Sequence, residues 1–288
     1  PRECGADRTR GFGACKVGNT ITAARAALHM WEEPCISGEE GSGAVFFSGC
    51  NLGCVYCQNR EIALGHSGRT ITQDRLCEIY MELQEKKANN INLVTAGHYL
   101  PIVIESIKKA RKNGLTIPIV YNSSGYEKVE AIEALNGIVD IFLPDFKYIS
   151  SEMAARYSNA PDYPEVAKRA LAQMVKQTGE AKFDERDMMK RGVIVRHLIL
   201  PGHIKESKKA IRYLYETYGD QIYISIMNQY TPMPGIEKRF KNLGRTITQR
   251  EYDEVVDYAV DLGVENGFIQ EGETAKESFI PQFDDTGL

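Results

Sequence analysis

Three cysteines, Cys50, Cys54 and Cys57, fall within eight residues in the stretch Gly49-Cys-Asn-Leu-Gly-Cys-Val-Tyr-Cys-Gln-Asn59. Spacings of four and three put three thiols on one tight loop, and Gly53 lets the backbone turn back on itself. A zinc site would want a fourth ligand from a matching second knuckle. The nearest candidate is His66, in a glycine-rich segment. Three thiolates instead suit a cuboidal iron–sulfur cluster in which one iron has no protein ligand. An open coordination position is what a reactive metal centre needs and what an electron-transfer site avoids. The other four cysteines carry less. Cys4 and Cys15 are too few for a complete metal site, and Cys35 and Cys77 read as ordinary. Seven cysteines in 288 residues are too thin for a disulfide scaffold.

The elements that must hold this loop follow from periodicity. Short β-branched runs at residues 45–48, 91–95, 117–121, 139–143, 193–200 and 223–227 alternate with helical patterns, and a weaker seventh run lies at 267–270. Pro101 stands at a first helical position, and Gly114 follows a last turn rich in Lys108, Lys109, Arg111 and Lys112. Thr248 and Glu251 form a capping-box pair. The word Gly-Arg-Thr-Ile-Thr-Gln occurs at 68–73 and again at 244–249, each time ahead of a helix, which reads as one capping solution used twice. Residues 158–162 and 179–191 read as irregular insertions. Strands alternating with helices predict an α/β fold with a parallel sheet. At this length it is expected to be a partial (β/α)6 TIM-like barrel spanning 44–288, behind an irregular N-terminal extension over 1–43.

In such barrels chemistry sits at the C-terminal ends of the strands. The cysteine loop follows the first strand run, Thr95-Ala-Gly-His98 the second and Asn122-Ser-Ser-Gly125 the third. Asp145 and Lys147 follow the fourth, Arg196 lies in the fifth, and Asn228-Gln-Tyr230 closes the sixth. Each strand end carries polar or glycine residues, although the strands were assigned without using them.

The cysteine words resemble the radical S-adenosylmethionine (radical SAM) enzymes, whose signature is Cys-x3-Cys-x2-Cys with an aromatic, here Tyr56, before the last cysteine. Trp31-Glu-Glu-Pro-Cys-Ile-Ser-Gly, Phe46-Phe-Ser-Gly-Cys-Asn51 and Cys57-Gln-Asn59 look like the branch related to pyruvate formate-lyase activating enzyme. The resemblance covers residues 31–270 and implies two cofactors, a 4Fe-4S cluster on Cys50, Cys54 and Cys57 and S-adenosylmethionine (SAM) on the fourth iron. One electron would split the sulfonium bond to methionine and a 5′-deoxyadenosyl radical that takes hydrogen from a substrate. Thr95, Ala96 and Gly97 match the segment that meets the SAM amine, with His98 where the family carries a carboxylate. Asn122 and Ser124 match the motif that holds the ribose or methionine portion. Lys147 and Arg196 match groups that hold the SAM carboxylate, methionine portion or substrate. Asp145 is the remaining carboxylate of a monovalent-cation site, weakened because Asn122 replaces the other. The partners implied are an electron donor such as flavodoxin or ferredoxin and, as substrate, a glycine of a glycyl-radical enzyme. Radical modification of a small molecule or peptide is a second reading. An electron-transfer or metal-binding module without SAM cleavage is a third, against which the Lys147–Arg196 carboxylate clamp argues.

Composition excludes other classes. Thirty-five Lys plus Arg against 39 Asp plus Glu give a net charge of -4, which offers no basic footprint for nucleic acid. No run of 18 apolar residues suggests a membrane span. No secretory n-region and h-region open the sequence, so reduced thiols in the cytoplasm are the expectation.

Overall fold

The computed structural model describes residues 1–270 and 281–288. Six strands run parallel at its centre: β2 (Ser42–Phe47), β4 (Ile91–Val94), β5 (Ile119–Ser123), β6 (Ile141–Pro144), β8 (Met189–Leu198) and β9 (Tyr223–Met227), joined on one edge by a parallel β10 (Gly267–Ile269). These match the seven runs expected from sequence to within a few residues. Beside β2 the sheet continues with β1 (Thr22–His29) and β3 (Arg69–Thr70), both antiparallel. The full order is β10-β9-β8-β6-β5-β4-β2-β1-β3, with β3 and β10 at opposite edges, so the sheet curves without closing into a barrel.

The sequence pattern points to no strand ahead of residue 45, yet β1 pairs with the whole of β2. Its run Thr-Ala-Ala-Arg-Ala-Ala-Leu-His is too alanine-rich to stand out by β-propensity. Pairing with the edge of the sheet makes it a strand. The polar segment after residue 179 holds a two-residue strand β7 (Lys182–Phe183) that pairs with the start of β8.

Helices cover the outer face: α3 (Gln73–Glu85), α4 (Leu100–Lys112), α5 (Val129–Glu133), α6 (Ser151–Ser158), α7 (Tyr163–Thr178), α8 (Ile204–Tyr218) and α9 (Gln249–Leu262), with a one-turn α2 (Arg60–Ala63) after the cysteine loop. The repeated word caps two of them. Thr72 Oγ1 accepts from Arg75 N at 3.0 Å at the start of α3. Thr248 and Glu251 exchange bonds at the start of α9, Glu251 N to Thr248 Oγ1 at 3.2 Å and Thr248 N to Glu251 Oε2 at 2.9 Å. Strand alternation then sorts the core into two layers. On β5, Ile119 and Tyr121 face the helices, while Val120 joins an inner cluster with Ile141, Leu143 and Ile194.

A short helix α1 (Pro34–Ser37) plugs the floor of that inner space. Cys35 and Ile36 pack into the inner cluster, and Asn90 Nδ2 donates to Ile36 O at 2.8 Å. Just before it, Glu32 and Glu33 reach Arg196 of β8. Arg196 Nε and Nη2 donate to the Glu33 carboxylate at 2.8 and 2.7 Å, Nη2 also meets Glu32, and Asn92 Nδ2 donates to Glu32 Oε1 at 2.8 Å. Burial alone would raise the Glu33 carboxyl, but Arg196 overrides it and holds it below its ordinary value.

Removing one partner of a buried ion pair strands the other. Arg196→Met is expected to cost about 3–5 kcal/mol of stability in urea unfolding of the metal-free protein. The loss should shrink as pH falls, because Glu33, raised by burial once Arg196 no longer holds it down, takes up a proton. In the parent protein the sign is opposite. The lowered Glu33 contributes stability above the ordinary glutamate range, and this is lost as pH falls through its depressed pKa.

Candidate functional site

The C-terminal ends of the parallel strands surround a cavity of about 240 Å³. Cys50, Cys54 and Cys57 all line it, on the loop between β2 and α2. Gly53 turns that loop at φ 69°. Gly49, at φ 92°, leads into it where a β-carbon would lie 2.6 Å from the carbonyl oxygen of Cys15. That oxygen accepts from Cys50 N at 3.1 Å.

Further tethers fix the loop. Arg2 donates from Nε to Asn51 O at 2.7 Å and from Nη2 to both Leu52 O and Ser158 O at 3.0 Å. Val55 N donates to Tyr157 O at 2.8 Å. Gln58 Nε2 crosses the mouth to Gln229 O at 2.6 Å. The sequence assigned no role to Arg2 or to the Cys15 carbonyl. Nothing in residue type marks a backbone acceptor 35 positions away.

The donor set fits an iron–sulfur cluster. Burial pushes the Cys57 thiol up to about 12, and the neighbouring Cys54 and Cys50 add to it. Cys50 is raised by burial and by Cys54. Buried thiols that repel one another as thiolates ionise only against a positive centre, and soft sulfur ligands select iron–sulfur or zinc. Among the described residues no three His, Cys, Asp or Glu side chains converge on a single ion. In a cuboidal cluster the cysteines instead bind separate irons.

The other expected residues divide. Tyr56, Thr95, Asn122, Ser124, Lys147 and Arg196 line the same cavity as the cysteines, as does Asp145. Lys147 Nζ donates to Asp145 Oδ2 at 2.6 Å. Burial alone would lower that ammonium, but Asp145, followed by Cys54 and Tyr163, holds it well above its ordinary value. Asp145 therefore reaches the cavity with its carboxylate already engaged by Lys147, and Arg196 with its guanidinium on Glu32 and Glu33. Thr95 takes φ 61°, a conformation a β-branched residue rarely adopts, which marks stored backbone strain at the end of β4.

Ala96 and Gly97 are not among the described residues that line the cavity. A β-carbon on Gly97 would lie 2.8 Å from Tyr121 Oη and 2.9 Å from Glu127 Oε2. Sequence reasoning passed over Glu127, although it places a buried carboxylate beside the segment whose own carboxylate His98 replaces. Burial raises it to about 7. His98 is turned away. Its Nε2 donates to Ser48 O at 2.7 Å, and burial lowers its pKa to about 4, so it is a neutral structural group.

With this geometry in place, comparison identifies the family. The Radical SAM superfamily pattern matches residues 44–214, and the chain belongs to that superfamily. It is similar to an uncharacterized protein of Methanocaldococcus jannaschii, 28% identical over 262 residues that cover 89% of this chain and 72% of that one. Its fold resembles HydG, a maturase of the FeFe-hydrogenase, with a TM-score of 0.51, 15% identity and coverage of 76% of this chain and 49% of that one. It also resembles Streptococcus suis SuiB bound to S-adenosylmethionine, at a TM-score of 0.50, 12% identity and coverage of 79% and 50%. The chain thus spans about half the length of these two structures, and at such identities the likeness is one of fold. The cofactors of the superfamily are a 4Fe-4S cluster and SAM. Among the described residues no helix is long and apolar enough to cross a membrane.

Two outcomes test the site. After anaerobic reconstitution, alanine at Cys50, Cys54 or Cys57 should abolish the iron–sulfur absorbance, while alanine at Cys35 or Cys77 should leave iron and sulfide content unchanged. Glu127 holds its proton in the folded state between 4.5 and about 7, where the unfolded chain has lost it. Stability should therefore fall as pH rises across that window, by up to about 3 kcal/mol, and Glu127→Gln should flatten the slope in pH-dependent urea titrations.

Proposed function

We propose that this chain is a radical SAM enzyme of the activating-enzyme-like kind, whose substrate is a glycine in a partner protein. The observation that supports the reading is the convergence of Cys50, Cys54 and Cys57 with Lys147, Asn122 and Ser124 on one cavity at the strand ends. When bound, the cluster and SAM supply one-electron cleavage of the sulfonium bond and a 5′-deoxyadenosyl radical that abstracts hydrogen. The electron comes from a low-potential donor such as flavodoxin or ferredoxin.

The chain's own residues bind and orient. Lys147, half-buried and cationic, offers its ammonium to the SAM carboxylate, sharing it with Asp145. Asn122 and Ser124 present neutral hydrogen-bonding groups to the ribose or methionine portion. Thr95, at its strained φ, is the residue of the turn after β4 that lines the cavity and can meet the amine. The Arg196–Glu32–Glu33 network carries two carboxylates for one guanidinium and closes part of the cavity wall, so hydrogen abstraction would take place away from bulk water. The activating-enzyme branch rests on the words around Trp31, Phe46 and Gln58. The departures at His98 and Asn122 set this chain apart from the standard pattern.

A charge-assisted hydrogen bond contributes about 1.5–3 kcal/mol, so Lys147→Ala should weaken SAM binding by roughly one to two orders of magnitude, as read by calorimetry. The cluster should be retained. Unchanged affinity would return Lys147 to a structural partner of Asp145. For the substrate, the reduced enzyme incubated with SAM and a glycyl-radical protein should give a persistent protein radical in electron paramagnetic resonance, with deuterium from the labelled glycine appearing in 5′-deoxyadenosine. Deuterium transfer from a small molecule or free peptide, with no protein radical, would favour the second substrate class.

A further inference from the structure

A line of buried hydroxyls leads to one of the three cysteines. Ser158 Oγ donates to Cys54 Sγ at 3.0 Å. Tyr148 Oη lies 2.7 Å from Ser158 Oγ and 2.8 Å from Tyr56 Oη. All four residues are buried, with exposures of 8% for Cys54, 1% for Ser158, 0% for Tyr148 and 5% for Tyr56. Ser158 is held against the loop, because Arg2 grips its carbonyl together with that of Leu52 and because Tyr157 O accepts from Val55 N. Cys50 Sγ, by contrast, accepts a longer backbone bond from Leu52 N at 3.4 Å.

Proton counting sets the direction of the chain. Each hydroxyl has one proton to give. A Cys54 thiolate bound to iron has none, so Ser158 gives its proton to sulfur and its oxygen is left to accept from Tyr148, whose hydroxyl lies within reach of both Ser158 and Tyr56. With Tyr148 donating to Ser158 and Ser158 to sulfur, both protons point at the cluster. In a dry interior such a chain is electrostatically stronger than in water, and each bond polarises the next.

We propose that Ser158, oriented by Tyr148 and Tyr56, tunes the reduction potential of the cluster through Cys54. This rests on the cluster reading of the cysteine triplet. Reduction adds one electron from an external donor, moves no proton, and increases the negative charge on the sulfurs. A hydroxyl donated to Cys54 sulfur therefore stabilises the reduced state more than the oxidised one and raises the potential. Ser158 is a positioning and tuning residue and touches no substrate.

The test is a midpoint titration of the reconstituted protein, with the reduced cluster followed by electron paramagnetic resonance and iron and sulfide content measured alongside. Ser158→Ala is expected to keep its iron and to shift the reduction equilibrium about tenfold toward the oxidised form, equivalent to about 59 mV for one electron. Tyr148→Phe, which leaves the Ser158 hydroxyl in place but removes its donor, is expected to shift the midpoint in the same direction by less. A midpoint equal to the parent's in Ser158→Ala with iron intact would overturn the proposal. If Ser158→Ala does not hold iron, Tyr148→Phe decides: a lowered midpoint supports the proposal and an unchanged one overturns it. Failure of the parent protein to bind any iron–sulfur cluster would instead defeat the cluster reading itself.

Discussion

Three thiols crowded onto one tight loop need a positive centre between them, and the neighbouring elements are arranged around that constraint. Burial and mutual repulsion raise Cys50 and Cys57, so the loop is poised for iron and poorly suited to free thiolates. Arg2 ties the loop carbonyls from one side, the Cys15 carbonyl receives Cys50 N from another, and Gln58 spans the mouth to Gln229. The half-buried ammonium of Lys147 supplies positive charge on the same wall. Loop, tethers and charge form one device, in which the position of each sulfur is set before any metal arrives.

The sheet serves that device by leaving its strand ends open and sealing its base. Parallel strands bring Thr95, Asn122, Asp145 and Leu198 to one rim because each strand ends at the same level. The opposite end is filled by α1, and the Arg196 ion pairs lie between that plug and the rim, on the cavity wall level with Asp145. A buried pair of this kind adds little net stability compared with apolar packing, but it costs heavily when broken. Its value here is positional: it fixes the wall between the plug and the reactive end of the cavity.

Much of this was legible in the sequence, for identifiable physical reasons. The parallel strands announced themselves because both of their faces are buried, so their runs are almost continuously apolar, as in Ile91–Val94 and Ile141–Pro144. Thr248 and Glu251 were readable because a capping box is a local interaction. β1 was hidden, since its strand state comes from an edge-pairing partner about 20 residues away. The cysteine triplet was legible as a motif; its hydrogen-bond environment was not. Ser158 reaches Cys54 from α6 by tertiary packing, and Glu127 comes beside Gly97 from the turn after β5; no spacing in the chain records either. Arg196 shows the intermediate case. A charge inside an apolar strand must be paired or face the interior, but nothing in the sequence names the partners Glu32 and Glu33, which lie about 160 residues upstream.

The most direct test of the account is product analysis of the reconstituted protein under strict anaerobic reduction. With dithionite and SAM, and with no added substrate, the protein should slowly release 5′-deoxyadenosine and methionine in equal amounts. Absence of both products, with the iron–sulfur absorbance intact and SAM bound, would contradict the assignment of this cavity as a site of reductive SAM cleavage.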